Sequence, residues 1–274
     1  MKQLLLLLLA GSLTACVSPT KIPPIATSSK NVVFAWHDLA STRSFEDVQS
    51  FYGSLLGWDF VQIDSAYSVI IDPTGQPVGA VIHTAKTNSQ QKSSVWISSI
   101  QVKDVVGTLQ IIEDTGGKIL KAPVLVPDRG IIALFEDPQG AIVQVVETYL
   151  ADQTALNSPW VWHELLTTQP ETSAAWYATI FDFEVEFVEE AKRYVLSKGD
   201  EKIASVSKNP FEKERNQWIP VLSVQDLDDL VGKVAAKGGT IILPPTQDFS
   251  SGQIALILDP GGAPLALQMK GEAQ

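Results

Sequence analysis

The sequence predicts an α+β protein built from a duplicated unit, and three observations predict it. The stretch Phe34-Ala35-Trp36-His37-Asp38-Leu39 returns as Val161-Trp162-His163-Glu164-Leu165, and the two copies hold two of the three histidines in the chain. Gly116-Gly117 returns as Gly238-Gly239, and Asp137-Pro138-Gln139-Gly140-Ala141 returns as Asp259-Pro260-Gly261-Gly262-Ala263. Between these markers, strand-like apolar runs and stretches of helical periodicity follow one another in the same order both times. So long an interval between copies marks a duplicated domain and not a solenoid repeat.

Residues 32–39 form an apolar run of strand length. Residues 44–56 then place Phe45, Val48, Phe51, Tyr52, Leu55 and Leu56 at helical spacing, and Gly57 supplies the stop. Residues 58–63, 67–71 and 78–84 read as strands, with a turn at Asp72-Pro73-Thr74-Gly75. The order β-α-β-β-β repeats at once: strand 95–102, helix 105–114 closed by Gly116-Gly117, and strands 118–125, 130–135 and 141–148. After a polar link, a helix carries Trp176, Tyr177, Ile180 and Phe181, and strands 194–197, 202–207 and 218–224 precede a helix at 226–236. Four βαβββ modules result, paired as domains 31–150 and 159–274 with a linker at 151–158. Both units lie on one chain, which predicts a monomer.

The N-terminus has its own logic. Met1-Lys2-Gln3 is a short basic start, and Leu4 to Leu9 form an apolar core too short to span a bilayer. Leu13-Thr14-Ala15-Cys16 resembles the bacterial lipoprotein signal, in which cleavage leaves the cysteine lipid-modified. That resemblance implies a signal peptide over residues 1–15, a lipid anchor at Cys16 and a tether over 16–30 rich in Pro, Ser and Thr. Val17 after the cysteine implies the outer membrane, with the body facing the periplasm. Cys16 is the one cysteine, so no intrachain disulfide forms. A formal net charge of −11 with no basic patch excludes nucleic acid as a partner.

The opening strands with Trp-His-Asp/Glu-Leu, the Phe51-Tyr52…Leu56-Gly57-Trp58 helix exit and the Asp-Pro-x-Gly turn before the last strand resemble the vicinal oxygen chelate superfamily. That group contains the glyoxalases, bleomycin-resistance proteins and extradiol dioxygenases. The resemblance spans residues 32–270 and points to the tandem-domain glyoxalase-like bacterial proteins. It implies two glyoxalase-like domains with curled mixed sheets, helices outside and a concave face for a small molecule.

In metal-using members the ligands come from the first, fourth, fifth and eighth strands of a two-module unit. Carried onto this chain, these positions give His37, His83 and Gln144, while Trp96-Ile97 on the fifth strand offers no donor. Such a set in the first domain would suit one divalent ion, Fe, Mn, Ni or Zn. The family's glutamate, which doubles as ligand and base, is replaced by Gln144, whose amide has no useful basicity. Candidate catalytic groups are therefore His37 and Glu147, although strand alternation sends Gln144 and Glu147 to opposite faces. The second domain is poorer: His163 repeats His37, but Ser207 stands near His83's place, Ile219 matches Ile97 and Ala266 matches Gln144.

A histidine on an apolar strand is more often a hydrogen-bonded core residue than a ligand. Asp38 and Glu164 alternate with the histidines, and the Asp-Pro-x-Gly segments read as turns. The expectation is a membrane-anchored tandem protein, a binder or degenerate enzyme that holds a small molecule in the sheet cup. A metal-dependent lyase, isomerase or dioxygenase using the first domain is the alternative, and an envelope scaffold is the third class.

Overall fold

A computed structural model describes residues 33–84, 93–148, 158–211, 215–247 and 252–271. The expected leader, Cys16, the tether and nearly all of the linker lie outside the described residues. The first module contains β1 (Phe34–Ser41), α1 (Phe45–Leu56), β2 (Asp59–Gln62), β3 (Tyr67–Ile71) and β4 (Pro77–His83). The second contains β5 (Val95–Gln101), α2 (Val105–Asp114), β6 (Lys118–Val126), β7 (Gly130–Glu136) and β8 (Ile142–Glu147). The third runs through β9 (Trp160–Thr167), α3 (Pro170–Phe181), β10 (Glu184–Val188), β11 (Arg193–Lys198) and β12 (Glu201–Lys208). The fourth has β13 (Gln217–Val224), α4 (Leu227–Val234), a 3-10 turn (Ala235–Lys237), β14 (Thr240–Leu243), β15 (Ile254–Leu258) and β16 (Pro264–Met269).

Side-chain caps begin three of the helices. Ser44 accepts from the Asp47 N–H before α1, Asp104 from Gly107 before α2, and Asp226 from Asp229 before α4. α3 begins with Pro170, whose missing N–H is no loss at that position. Gly57 ends α1 in the left-handed region at φ 69°, as the sequence predicts.

Each pair of modules makes one mixed eight-stranded sheet. The orders are β2-β3-β4-β1-β5-β8-β7-β6 and β10-β11-β12-β9-β13-β16-β15-β14. Within a module the first strand pairs parallel with the last, and the antiparallel ladders β1–β5 and β9–β13 join the modules. The strand order corrects the expected curled sheets. Each sheet is an open series with β2 and β6, or β10 and β14, as its edges, and the central antiparallel ladder keeps both modules in one layer.

The helices are not outside either. One core cluster joins Val48, Phe51, Tyr52 and Leu55 of α1 to Leu227, Val231 and Val234 of α4 and to strands of both sheets. A second joins Leu109 and Ile112 of α2 to Ala174, Tyr177 and Phe181 of α3. Helices therefore pack between the two domains, module one against module four and module two against module three, with the duplicated faces meeting as in a two-fold dimer.

The Asp-Pro-x-Gly turns hold this interface. The Tyr52 hydroxyl donates to Asp259 at 3.1 Å and accepts from the Trp96 indole at 3.1 Å. On the other side Tyr177 donates to Asp137 at 3.0 Å and accepts from Trp218 at 2.9 Å. Burial pushes both tyrosines well above their ordinary range, with the facing carboxylate adding to the effect, so both stay protonated donors.

Candidate binding face

Which way each strand residue points is decided by a bulge in β1. Phe34 pairs with Ile100 and Trp36 with the adjacent Ser99, so Ala35 is an extra residue and the alternation slips by one. Phe34, His37 and Leu39 thereby face the helices and the other domain, while Trp36, Asp38 and Ala40 face away. β9 carries the same bulge at Val161, which turns Trp160, His163 and Leu165 inward and Trp162 and Glu164 outward.

The two histidines consequently meet each other. Their Nε2 atoms lie 2.7 Å apart across the domain interface, which requires one ring to be the Nε2–H tautomer and the other to accept. Trp160 stacks on His37 at 4.2 Å and Phe34 on His163 at 3.6 Å between ring centroids. Burial, together with the charges of the facing histidine and Arg129, holds His37 well below its usual range. Burial brings His163 down to about 3. Both rings are neutral near pH 7.

The expected ligands do not converge. His83 sits beside Ser41 on the helix side, its ring edge-on to Phe45 at 5.5 Å. Gln144 is on the opposite face, where its amide leans toward Asp38 at 3.5 Å. Glu147 accepts the Val105 N–H at 3.0 Å and so caps α2. Lys208, the cross-strand partner of Thr167, is the positional counterpart of His83, and not Ser207. Among the described residues no group of three or more His, Cys, Asp or Glu is placed to hold a metal ion. The donor set thus does not fit the expected ion.

The helix-free face of the first sheet carries the chemistry instead. Trp36, Ser99, Gln144, Leu134 and Lys121 form one cross-strand row over β1, β5, β8, β7 and β6. Beside it Asp38, fully buried, receives two hydrogen bonds from Arg129 at 3.1 and 2.9 Å and one from the Trp36 indole at 2.9 Å. The Arg129 guanidinium lies 4.9 Å over the Trp36 ring and contacts the Tyr67 hydroxyl at 3.5 Å. Burial alone would lower the Arg129 pKa, but the charge and hydrogen bonds of Asp38 raise it overall.

Arg129 is presented by a tight turn between β6 and β7. Asp128 has φ 58° and Gly130 φ 114°, and a Cβ on Gly130 would lie 2.0 Å from the Glu147 carbonyl oxygen. Among the described residues, the Ser99 hydroxyl, the Lys121 ammonium and the Arg129 Nε–H on this face are buried without a hydrogen-bond partner. Sequence reasoning missed Arg129, Lys121, Ser99 and Tyr67. The one available signal was Asp128-Arg129-Gly130, a lone arginine in a glycine turn facing the first strand.

In the second domain Glu164 replaces Asp38. It accepts from the Ser205 hydroxyl and lies 3.7 Å from the Arg193 guanidinium, and Trp162 donates to Ser205 at 2.8 Å. One Glu164 oxygen and the Arg193 Nε–H are again buried without a protein partner. The arginine here comes from β11 and not from the turn after β6's counterpart, so the two faces were completed differently.

The comparisons with known proteins agree with this architecture. A family model described as "Glyoxalase/Bleomycin resistance protein/Dioxygenase superfamily" matches residues 37–145 and 160–267. A "Putative glyoxylase CFP32" of Mycobacterium bovis is 27% identical over 241 residues, covering 83% of this chain and 91% of the relative. The "Anthracycline biosynthesis protein DauV" of Streptomyces sp. strain C5 is 25% identical over 256 residues, covering 84% and 90%. Among solved structures, a Mn(II)-bound glyoxalase from Novosphingobium aromaticivorans superposes with TM-score 0.61 at 15% identity, covering 88% of this chain and 82% of that one. At such identity the likeness shows the fold alone.

Proposed function

Because the chain belongs to the glyoxalase/bleomycin resistance protein/dioxygenase superfamily, we propose that it binds a small organic molecule on the helix-free faces of its sheets. The observation that carries this reading is the set of buried polar atoms left without protein partners there: Ser99, Lys121 and Arg129 in one domain, Glu164 and Arg193 in the other. Such groups are costly to leave unmatched, so a ligand that matches them explains their retention. Trp36, buried beneath the Arg129 guanidinium, and the half-buried Trp162 pack beside them. A relative named for anthracycline biosynthesis is consistent with a ring-bearing ligand.

Binding is favoured over catalysis by what the acid–base candidates do. Glu147 is committed to the first turn of α2, and His37 to His163. Neither faces Trp36, and the carboxylate that does share that face, Asp38, is engaged by the Arg129 guanidinium.

The reading includes an anchor: residues 1–15 as a leader, Cys16 lipid-modified and residues 16–30 as a tether, which places the protein at the bacterial envelope. It is supported by the order of basic start, apolar run, small residue and cysteine, and metabolic labelling with palmitate tests it. Label should appear on the parent and vanish in Cys16→Ser, and an unlabelled parent overturns the anchor.

Ligand binding is tested with a panel of small aromatic compounds, followed by tryptophan fluorescence and ligand-observed NMR. Saturable binding that is weakened by Trp36→Ala or Trp162→Ala is expected. A panel in which no compound gives saturable binding would sink the reading.

A further inference from the structure

We infer that the helix-free face of the second domain takes a neutral molecule bearing a carboxamide, its amide at Glu164 and Arg193 and its apolar body on the patch beside Trp162. This rests on the small-molecule reading above and names the ligand class of that face.

The side chains concerned are joined by direct contacts. The Trp162 indole donates to the Ser205 hydroxyl at 2.8 Å, Ser205 donates to one Glu164 oxygen, and the Arg193 guanidinium stands 3.7 Å from that same oxygen. Trp162 also packs in the apolar cluster of Ile219, Val221, Ala266, Leu166 and Leu256, and Ile219 is the cross-strand neighbour of Glu164. The polar end and the apolar patch therefore adjoin at Trp162.

The duplication provides an internal control. In the first domain the ion pair is closed on itself: Arg129 gives Asp38 two hydrogen bonds, and the two side chains are 7% and 0% exposed. In the second domain 3.7 Å is beyond hydrogen-bonding range, and the Arg193 and Glu164 side chains are 31% and 17% exposed. Among the described residues, the Arg193 Nε–H and the other Glu164 oxygen have no hydrogen-bond partner. A donor and an acceptor are thus left over on one pair, and a primary amide offers the complement of both.

The first domain also shows what fits there. Its Gln144 leans its own carboxamide toward Asp38 at 3.5 Å. Through the row Trp36, Ser99, Gln144 the matching residue is Ala266, reached through Trp162 and Val221. The second domain therefore has a methyl group where the first carries an amide on its own chain, and an amide from outside takes that place. Charge selects a neutral one. Glu164 and Arg193 cancel, and the other ionisable side chains that strand alternation puts on this face, Glu184, Glu186 and Lys202, are exposed on β10 and at the start of β12. Three carboxylates against two cations leave no surplus positive charge to hold an anion, and a cation would meet the Arg193 guanidinium.

Three compounds of one shape test the inference by calorimetric titration: benzamide, benzoate and benzamidine. Benzamide should bind at least about tenfold more tightly than either ion, a preference of the size that one unfavourable charge contact gives. In nitrogen-15 spectra of the parent protein it should move the Trp162 indole N–H signal, identified by its loss in Trp162→Phe. Ala266→Gln, which restores the side chain of the first domain, should abolish benzamide binding, and Ala266→Leu should do so by volume. The indole measurement is made on the parent and stands whether or not the variants fold. Benzamide bound with the Trp162 signal unmoved, an ion bound as tightly as the amide, or affinity unchanged in both folded variants overturns the inference and leaves small-molecule binding standing. So does failure of all three compounds while another aromatic compound of the wider panel binds. Absence of binding across the whole panel removes this inference together with the reading beneath it.

Discussion

His37 and His163, equivalent residues of the two domains, share a 2.7 Å Nε2–Nε2 contact where the domains meet. Their stability effect has a definite sign. Both are held below their unfolded value, so acid favours the unfolded chain, which takes up protons the native state refuses. For His163 the window opens as pH falls below 6.5 and closes at about 3. Within it each neutral histidine removes about 1.4 kcal/mol of stability per pH unit. Asp137 and Asp259, raised by burial, act in the opposite sense and soften the lower end. Urea unfolding between pH 7.5 and 4.5 should therefore show steady loss, and His163→Phe should flatten the slope. An unchanged slope in that variant would show the pair to be irrelevant to acid lability.

The tyrosine latches should behave as two independent copies. Tyr52→Phe leaves the Asp259 carboxylate and the Trp96 indole short of a partner inside the interface, and Tyr177→Phe does the same to Asp137 and Trp218. Each should cost about 1–3 kcal/mol. They belong to separate core clusters, so the double variant should equal the sum of the singles to within about 0.5 kcal/mol. Denaturant midpoints of the four proteins settle the point, and strong non-additivity would mean that the interface opens as a unit.

Much of this architecture is legible in the chain. The repeated Trp-His-Asp/Glu-Leu strands, the helix 44–56 and the four-module order all have a periodic or capping cause that acts locally. What is not legible is the face to which a strand residue points once a bulge intervenes. One extra residue at Ala35 inverts the assignment of His37 and Asp38, and no local signal announces it. The partners of Asp137 and Asp259 were hidden for another reason. A turn fixes its own backbone, but the docking of its carboxylate on a tyrosine of the other domain is a tertiary fact. Lys121 and Arg129 lie on strands or turns whose pattern is satisfied without them.

The buried pair Asp38–Arg129 should be more sensitive to half-removal than to complete replacement. Asp38→Ala leaves the guanidinium buried without its counter-charge, in contact with the Tyr67 hydroxyl and the Trp36 ring, and should cost about 3–5 kcal/mol. Arg129→Met should cost a similar amount by stranding the carboxylate. The double variant Asp38→Leu/Arg129→Met should be less destabilised than either single change, measured by thermal melts at pH 7. A double variant that is worse than both would mean that the pair carries net stabilisation beyond its own desolvation.

Glu147 discriminates between a structural and a chemical role with one substitution. Its carboxylate accepts the first N–H of α2, where a negative charge meets the positive end of the helix dipole. Glu147→Gln keeps the shape and an acceptor but removes the charge, so the loss should be about 0.3–1 kcal/mol in unfolding free energy. Raising the salt concentration should shrink the difference, because a helix-dipole contribution is screened. Binding of any aromatic probe on the Trp36 face should be unchanged, since β8 turns Glu147 toward α2 and Gln144 away from it. A stability unaffected by the change, joined to weakened probe binding, would return Glu147 to the ligand face and require a different path for the end of β8.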